Sequence, residues 1–497
     1  MKPNTRFLVI LALLSYFAPT FGLKAVSPAP DGGYAGNNTA EGTSALFSLT
    51  SGTDNTALGF QALYHNTTAP NNVAVGTQAL FNTAMGTANT ATGTQALYHN
   101  ISGSSNTATG YQALFTNTGS FNTATGTAAL HNNNSGTENT ANGGSALYSN
   151  TIGNYNTASG YAALFNNRGG SFNTAEGVEA LQNNISGHEN TASGYEALLS
   201  NTNGSGNTAT GVQALEINTS GSANTAVGYN ALSSNRTANN NTAIGSAALV
   251  DNTIGANNTA AGGGALATNQ TGSNNTADGA EALLRTTGSN NVGLGYNAGN
   301  NLTAGSNNID ISNVGVAAES NTIRVGTSGV QTKAFIAGIS GIAVTGTAVV
   351  VNGSGQVGVA PSSQRFKDAI KPMDNASEAI LALEPVTFRY KQEFDPACIP
   401  QFGLVAEEVE KVDPDLVARD ADGKPYTVRY EAVNAMLLNE FLKEHKAFVQ
   451  EQRKVQEQGA TIARLEKQIE ALAAGFQKVS AQPELNKSDP QTILNND

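Results

Sequence analysis

Two residues of this 497-residue chain stand where chemistry could be done. They are the hydroxyl of Ser362 and the amine of Lys367, five positions apart in Pro361-Ser362-Ser363-Gln364-Arg365-Phe366-Lys367-Asp368-Ala369-Ile370. A serine hydroxyl is a weak nucleophile until a neighbouring base takes its proton. A lysine can be that base if burial brings its pKa from about 10.4 toward 7–8. Such a pair could cut the chain beside itself, and burial on assembly would set the timing. An isolated serine and lysine read far more readily as ordinary linker residues, so the surroundings decide.

The pair sits on a border. Residues 361–497 hold 17 of the 25 Lys and Arg and 23 of the 37 Asp and Glu. Upstream the chain is rich in Gly, Asn and Thr, and between Asn38 and Ser312 the basic residues are Arg168, Arg236 and Arg285 alone. Nucleic-acid binding needs clustered cations and is excluded there. The single Cys398 excludes an intrachain disulfide framework and reads as a small buried residue.

The chain opens like an export signal (1–22). Lys2 and Arg6 precede an apolar run from Phe7 to Ala18, and Thr20-Phe21-Gly22 ends in small residues. The run is too short for the roughly 20 residues that span a bilayer, and no later stretch is long and apolar enough to do so. A secreted or cell-surface product follows, with a linker over 23–37.

From Asn38 a motif N-T-A-x-G-x-x-A-L-x-x-N recurs at Asn55, Asn72, Asn89, Asn106, Asn122 and on to Asn275, with degenerate copies at Asn291 and Asn308. Every step is 17 residues except two of 16. That period is too short for helical-pair repeats and predicts a β-solenoid over 38–312 with short strands and Asn/Gly corners. Ala108 and Gly110 are expected to share one cramped inner face. Leu63, Leu80 and Leu97 form the larger core ladder, and the asparagines bond from rung to rung. Rungs about 4.8 Å apart give a rod roughly 80 Å long.

In most early coils the core leucine precedes an aromatic: Phe47, Tyr64, Phe81, Tyr98, Phe115, Tyr148, Phe165. Neighbours on a strand face opposite ways, so this column is expected outside the single-chain core. It could be a subunit interface, a ligand-binding stripe, glycan included, or a second core layer. The array resembles the heads of trimeric autotransporter adhesins in style, with a longer period, which implies a trimeric β-roll. Threonines such as Thr107 and Thr123 make an outward ladder that resembles the hydroxyl arrays of ice-binding solenoids, although threonine is also simply a good strand former. His65 and His99 lie two rungs apart, with His131 and His188 elsewhere. Neither a metal site nor a cofactor site is expected.

A β-rich neck is expected over 313–360, from runs such as Phe335-Ile336-Ala337, Ile342-Ala343-Val344 and Val349-Val350-Val351. After the border come a short helix near Lys367, a helix through Ala376–Leu383 and a strand Pro385–Tyr390. Then follow a helix Glu407–Val412, a strand Tyr426–Tyr430 and a long helix from Glu431 to about Val479. A disordered tail is expected over 481–497.

The ordered motifs Ser362-x-x-Arg365-x-Lys367-x-x-Ile370, Gly403-Leu404-Val405-Ala406-Glu407-Glu408-Val409, Pro414-x-Leu416-Val417 and Tyr430-x-x-Val433-x-x-Met436-Leu437-Leu438 resemble the intramolecular chaperone domain of phage endosialidases and tail spikes. The resemblance covers roughly the last 120 residues and places that domain at 361–436, before a helix at 437–480. It implies trimerisation, assistance to an upstream β-fibre, and one self-directed cut with Ser362 as nucleophile and Lys367 as base. Any enzyme activity is then at most that of a single-turnover serine peptidase. Ser363 departs from the family, whose members commonly carry aspartate there, which puts competence for cleavage in doubt; the side of Ser362 that is cut is open. Arg365 reads as structural, able to pair with a carboxylate such as Glu407 or Glu431. Phe441, Phe448, Val455, Ile462, Ile469 and Phe476 repeat every seven residues, with Leu465, Leu472 and Val479 beside them, as in a coiled-coil seam. Isoleucine and leucine in these positions lean toward dimers, so the trimer rests on the resemblance. The expected fold is thus mainly β, a 17-residue-repeat solenoid, followed by a small α+β domain and a long helix. Its expected partner is itself; the alternatives are a solenoid that binds a surface ligand such as a glycan or ice, or a catalytic tail-spike-like fibre, with an uncleaved trimerisation domain.

Overall fold

A computed structural model describes residues 34–337, 345–420 and 422–481. The expected export signal, all but the end of the linker, the run Ile342–Val344 and nearly all of the expected tail lie outside them. The chain divides into two compact units, one ending at Phe335 and one beginning at Ile336.

The first unit is a parallel β-solenoid with one sheet of 18 strands. Most strands are three residues, Thr-Ala-x, stacked without slippage: Thr107 lies over Thr123, Ala108 over Ala124 and Thr109 over Thr125. From Ala57 onward the alanines are wholly buried, and the threonines face outward. The sheet continues through Ile309–Ile311 to Ile323–Val325. Further on, Val350–Val351 pairs antiparallel with Val357–Gly358 in the second unit.

The glycine two residues after each alanine is not a second inward residue, as expected, because the strand has ended before it. Gly110 is a corner at φ +135°, and a Cβ there would stand 2.5 Å from the carbonyl oxygen of Gly126 in the next coil. Both the backbone angle and the close stacking require glycine.

The leucine column is the core ladder, fully buried from Leu63 to Leu283. These leucines lie in a turn and not in a strand, with φ near +53° at Leu63, Leu80 and Leu97. A left-handed residue costs roughly 1–2 kcal/mol, while burying a leucine side chain contributes about 1.5–3 kcal/mol. Burial wins at each rung.

Two buried asparagine ladders satisfy the interior. In the first, Asn156 donates its backbone N–H and its Nδ2 to Asn139 Oδ1 at 3.0 and 3.1 Å, and Nδ2 also reaches the Gly170 carbonyl at 2.9 Å. In the second, Asn167 Nδ2 bonds Asn150 Oδ1 at 2.7 Å and the Gly170 carbonyl at 2.9 Å. Where threonine interrupts this ladder, Thr83 Oγ1 and Asn269 Oδ1 are left without partners. Both 16-residue steps omit a residue at one place: Asn117 reaches the carbonyl of Gly119, two residues on, where Asn100 reaches Gly103, three on. The first ladder crosses that gap intact, from Asn122 N–H to Asn106 Oδ1 at 2.9 Å.

The aromatic column lies outside the core and covers itself. Phe47, Tyr64, Phe81, Tyr98, Phe115, His131, Tyr148 and Phe165 stack face to face with centroids 4.9–5.2 Å apart. His131, expected to stand apart, fills the gap because it too follows a core leucine, Leu130. Apart from the end ring Phe47, the rings are half-buried.

The second unit has a small core of Val409, Leu416, Val417, Val428 and Met436. Around it lie the 3-10 segment Asp374–Ala382, the strand pair Val386–Phe388 with Gln401–Gly403, and the helix Ala406–Val412. Strand Val417–Arg419, absent from the sequence reading, pairs with Pro425–Val428. The helix Tyr430–Ala481 runs for 52 residues. Among the described residues no helix is long and apolar enough to cross a membrane.

Candidate functional site

Ser362 and Lys367 flank a single 3-10 turn, Gln364–Phe366, closed by the Phe366 N–H on the Ser363 carbonyl and the Lys367 N–H on the Gln364 carbonyl, both at 3.0 Å. Backbone on each side is extended, at φ −63° for Ser363 and −131° for Lys367. Every residue from Ala360 to Met373 is exposed. Among the described hydrogen bonds none joins Ser362 to Lys367. The single chain therefore brings the two near in sequence without forming the nucleophile–base contact, and does not bury the lysine as that chemistry needs. Among the described ion pairs none joins Arg365 to Glu407 or Glu431. The Arg365 guanidinium lies over the ring of its neighbour Phe366, 4.6 Å from the centroid, within cation–π reach. Ile370 is 61% exposed.

The later motif residues have structural work. Tyr430, at the start of the long helix, accepts the Leu404 N–H on its phenol oxygen at 3.1 Å. Gly403 makes room for it: a Cβ there would stand 2.9 Å from that oxygen. Glu407 sits in the first turn of the helix Ala406–Val412, where a carboxylate opposes the positive end of the helix dipole. Val409, Leu416, Val417 and Met436 of the quoted motifs are core residues, so much of the motif spacing is the spacing of one small core.

A polar cluster that sequence reading missed ties the 3-10 segment to the long helix. Ser377 is fully buried. Its hydroxyl donates to the Glu440 carboxylate and accepts from Asn439 Nδ2 at 2.6 Å. Lys443 Nζ lies 2.7 Å from Glu440 and 3.5 Å from Glu378. The Lys443 hydrogen bond, and then that of Ser377, hold the Glu440 carboxyl below its usual range. The partners lie some sixty residues apart, so no local spacing could have signalled them.

Among the described residues no three His, Cys, Asp or Glu side chains gather as a metal site. No curated protein matches the chain. Residues 362–418, beginning at Ser362 itself, match the family described as the chaperone of endosialidase, and a domain of that family thus follows the β-solenoid.

Proposed function

We propose that the chain is a secreted, homotrimeric fibre whose C-terminal domain aligns three copies, helps the solenoid to fold, and is then released by a cut beside Ser362. The observation that carries this reading is the unpartnered face of the long helix. Phe441, Phe448, Val455, Ile462, Ile469 and Phe476 are each 56–74% exposed, a seam of heptad spacing that a single copy leaves in water. The small core of the second unit points the same way, since a domain with so few buried residues gains much of its stability from association. Assembly also supplies what Ser362 and Lys367 lack in one chain: a neighbouring surface to bury the lysine and bring the two together.

The test compares the full chain with Ser362→Ala and Lys367→Ala by mass and oligomeric state. The expected result is a fragment of about 14 kDa, the share of the 50.9 kDa chain falling to residues 362–497, released from the unmutated chain alone. An uncut trimer would remove self-cleavage and leave the assembly role standing; a monomer would remove both.

A second reading of the stacked rings from Phe47 to Phe165 is a glycan-binding stripe, which would meet a sugar by ring edges and the tyrosine hydroxyls, since the rings cover one another's faces. Glycan-array binding by the full chain, lost on Tyr98→Ala, would support it.

A further inference from the structure

The interior column of the main sheet is alanine in nearly every rung, yet its last two positions are Asp310 and Arg324, paired in register. Asp310 is 1% exposed, and its Oδ2 has no hydrogen-bond partner. Gly299 and Gly315 press so close that a Cβ on either would stand 3.2 or 3.1 Å from that oxygen. Arg324 commits its guanidinium to Glu319 instead, with Nε at 2.8 and 3.1 Å and Nη2 at 2.7 Å. Glu319 also accepts the Val316 N–H at 2.8 Å. One cation thus serves two carboxylates, and the buried one receives none of its hydrogen bonds. Gly293, Gly299, Leu302 and Gly315 bring no charge, so Glu319 and Arg324 are the charged groups that face Asp310.

We propose that Asp310 is a proton-operated latch on the last turn of the solenoid, residues 309–326, closed while its carboxyl is neutral and loosened as it ionises. A neutral carboxyl is tolerated in an apolar pocket, whereas an unpaired buried carboxylate is not. Burial pushes the Asp310 pKa up to about 6, with Glu319 adding to the rise and Arg324 opposing it. The folded turn therefore holds a proton that the open turn releases. Its stability is full below the ordinary value of 3.8 and falls as pH rises through about 6. Loosening at neutral pH would bare the edge of strand Val292–Leu294, a template for another strand.

The test is amide hydrogen exchange on the full chain at pH 5 and 7.5, corrected for the intrinsic rate. Protection in 309–326 is expected to fall by about 10-fold, since at pH 5 the open turn is already ionised and one pH unit remains below the folded value of about 6, while that in 156–176 holds. Asp310→Asn should be protected equally at both pH values. Asp310→Ala, which installs the column's usual residue, gives the same readout if the amide variant does not fold. No pH response in the unmutated chain, or an undiminished one in the folded variant, would overturn the latch.

Discussion

The phenol oxygen of Tyr430 occupies the space that Gly403 leaves by lacking a side chain, 2.9 Å from where its Cβ would be. This contact joins the start of the long helix to the strand Gln401–Gly403 and couples two separated motifs. Gly403→Ala is expected to destabilise the C-terminal unit by about 1–2 kcal/mol, a modest overpacking. Tyr430→Phe should lose about 1 kcal/mol with the Leu404 hydrogen bond. The double variant should be less damaged than the two losses combined, because the added methyl no longer meets a hydroxyl. Urea unfolding of all four proteins checks this, and strict additivity would refute the contact.

The asparagine ladders make a sharper contrast. Asn156→Ala leaves the buried Asn173 N–H without its partner and removes one of two hydrogen bonds from Asn139 Oδ1, which keeps the Asn156 N–H, and from the Gly170 carbonyl, which keeps Asn167 Nδ2. With about 1–3 kcal/mol for the buried group left unpaired and about 0.5–1.5 kcal/mol for each of the two lost hydrogen bonds, a loss of at least about 2 kcal/mol is expected. Asn274 belongs to an exposed ladder at φ +59°, bonding Asn290 at 3.2 Å. Asn274→Gly keeps that backbone angle open and should change stability by less than about 0.5 kcal/mol. Local hydrogen exchange reads the two sites separately, as a stacked repeat requires. Equal effects would mean that the buried ladder contributes no more than the surface one.

Acid should loosen the second unit at a definable place. The Glu440 carboxyl is held low by Lys443 and Ser377, so the folded form favours its ionised state. Its contribution is present above the ordinary 4.5 and is lost as pH falls through the lower, folded value. Ser377→Ala should move acid unfolding of this unit to higher pH, and near-ultraviolet circular dichroism on Phe and Tyr signals would follow it. An unchanged acid midpoint would leave the cluster without a role in stability.

Much of the solenoid was legible because one constraint was written many times. A rung needs Asn, Ala, Gly and Leu at fixed offsets, and the repetition makes a 17-residue period visible without any homologue. The leucines' left-handed backbone was not legible, since Leu is not a residue whose type announces that conformation; only stacking imposes it. The same holds for Gly110, whose role is set by the carbonyl of the next coil and not by its own strand. In the second unit the helices and the strands other than Val417–Arg419 followed from local pattern, whereas Ser377 and Glu440 meet only through tertiary packing. Ser362 and Lys367 were conspicuous through their motif, yet one chain leaves them exposed and unjoined.

The two shortened coils carry one last consequence. Each drops a residue at the same bend, between Asn117 and Gly119 and between Thr286 and Gly288, and the neighbouring ladder continues as though nothing were missing. Length is therefore free to vary at that single corner. A foreign peptide spliced between residues 117 and 119 would project from the flank at a chosen height, with the scaffold beneath it undisturbed.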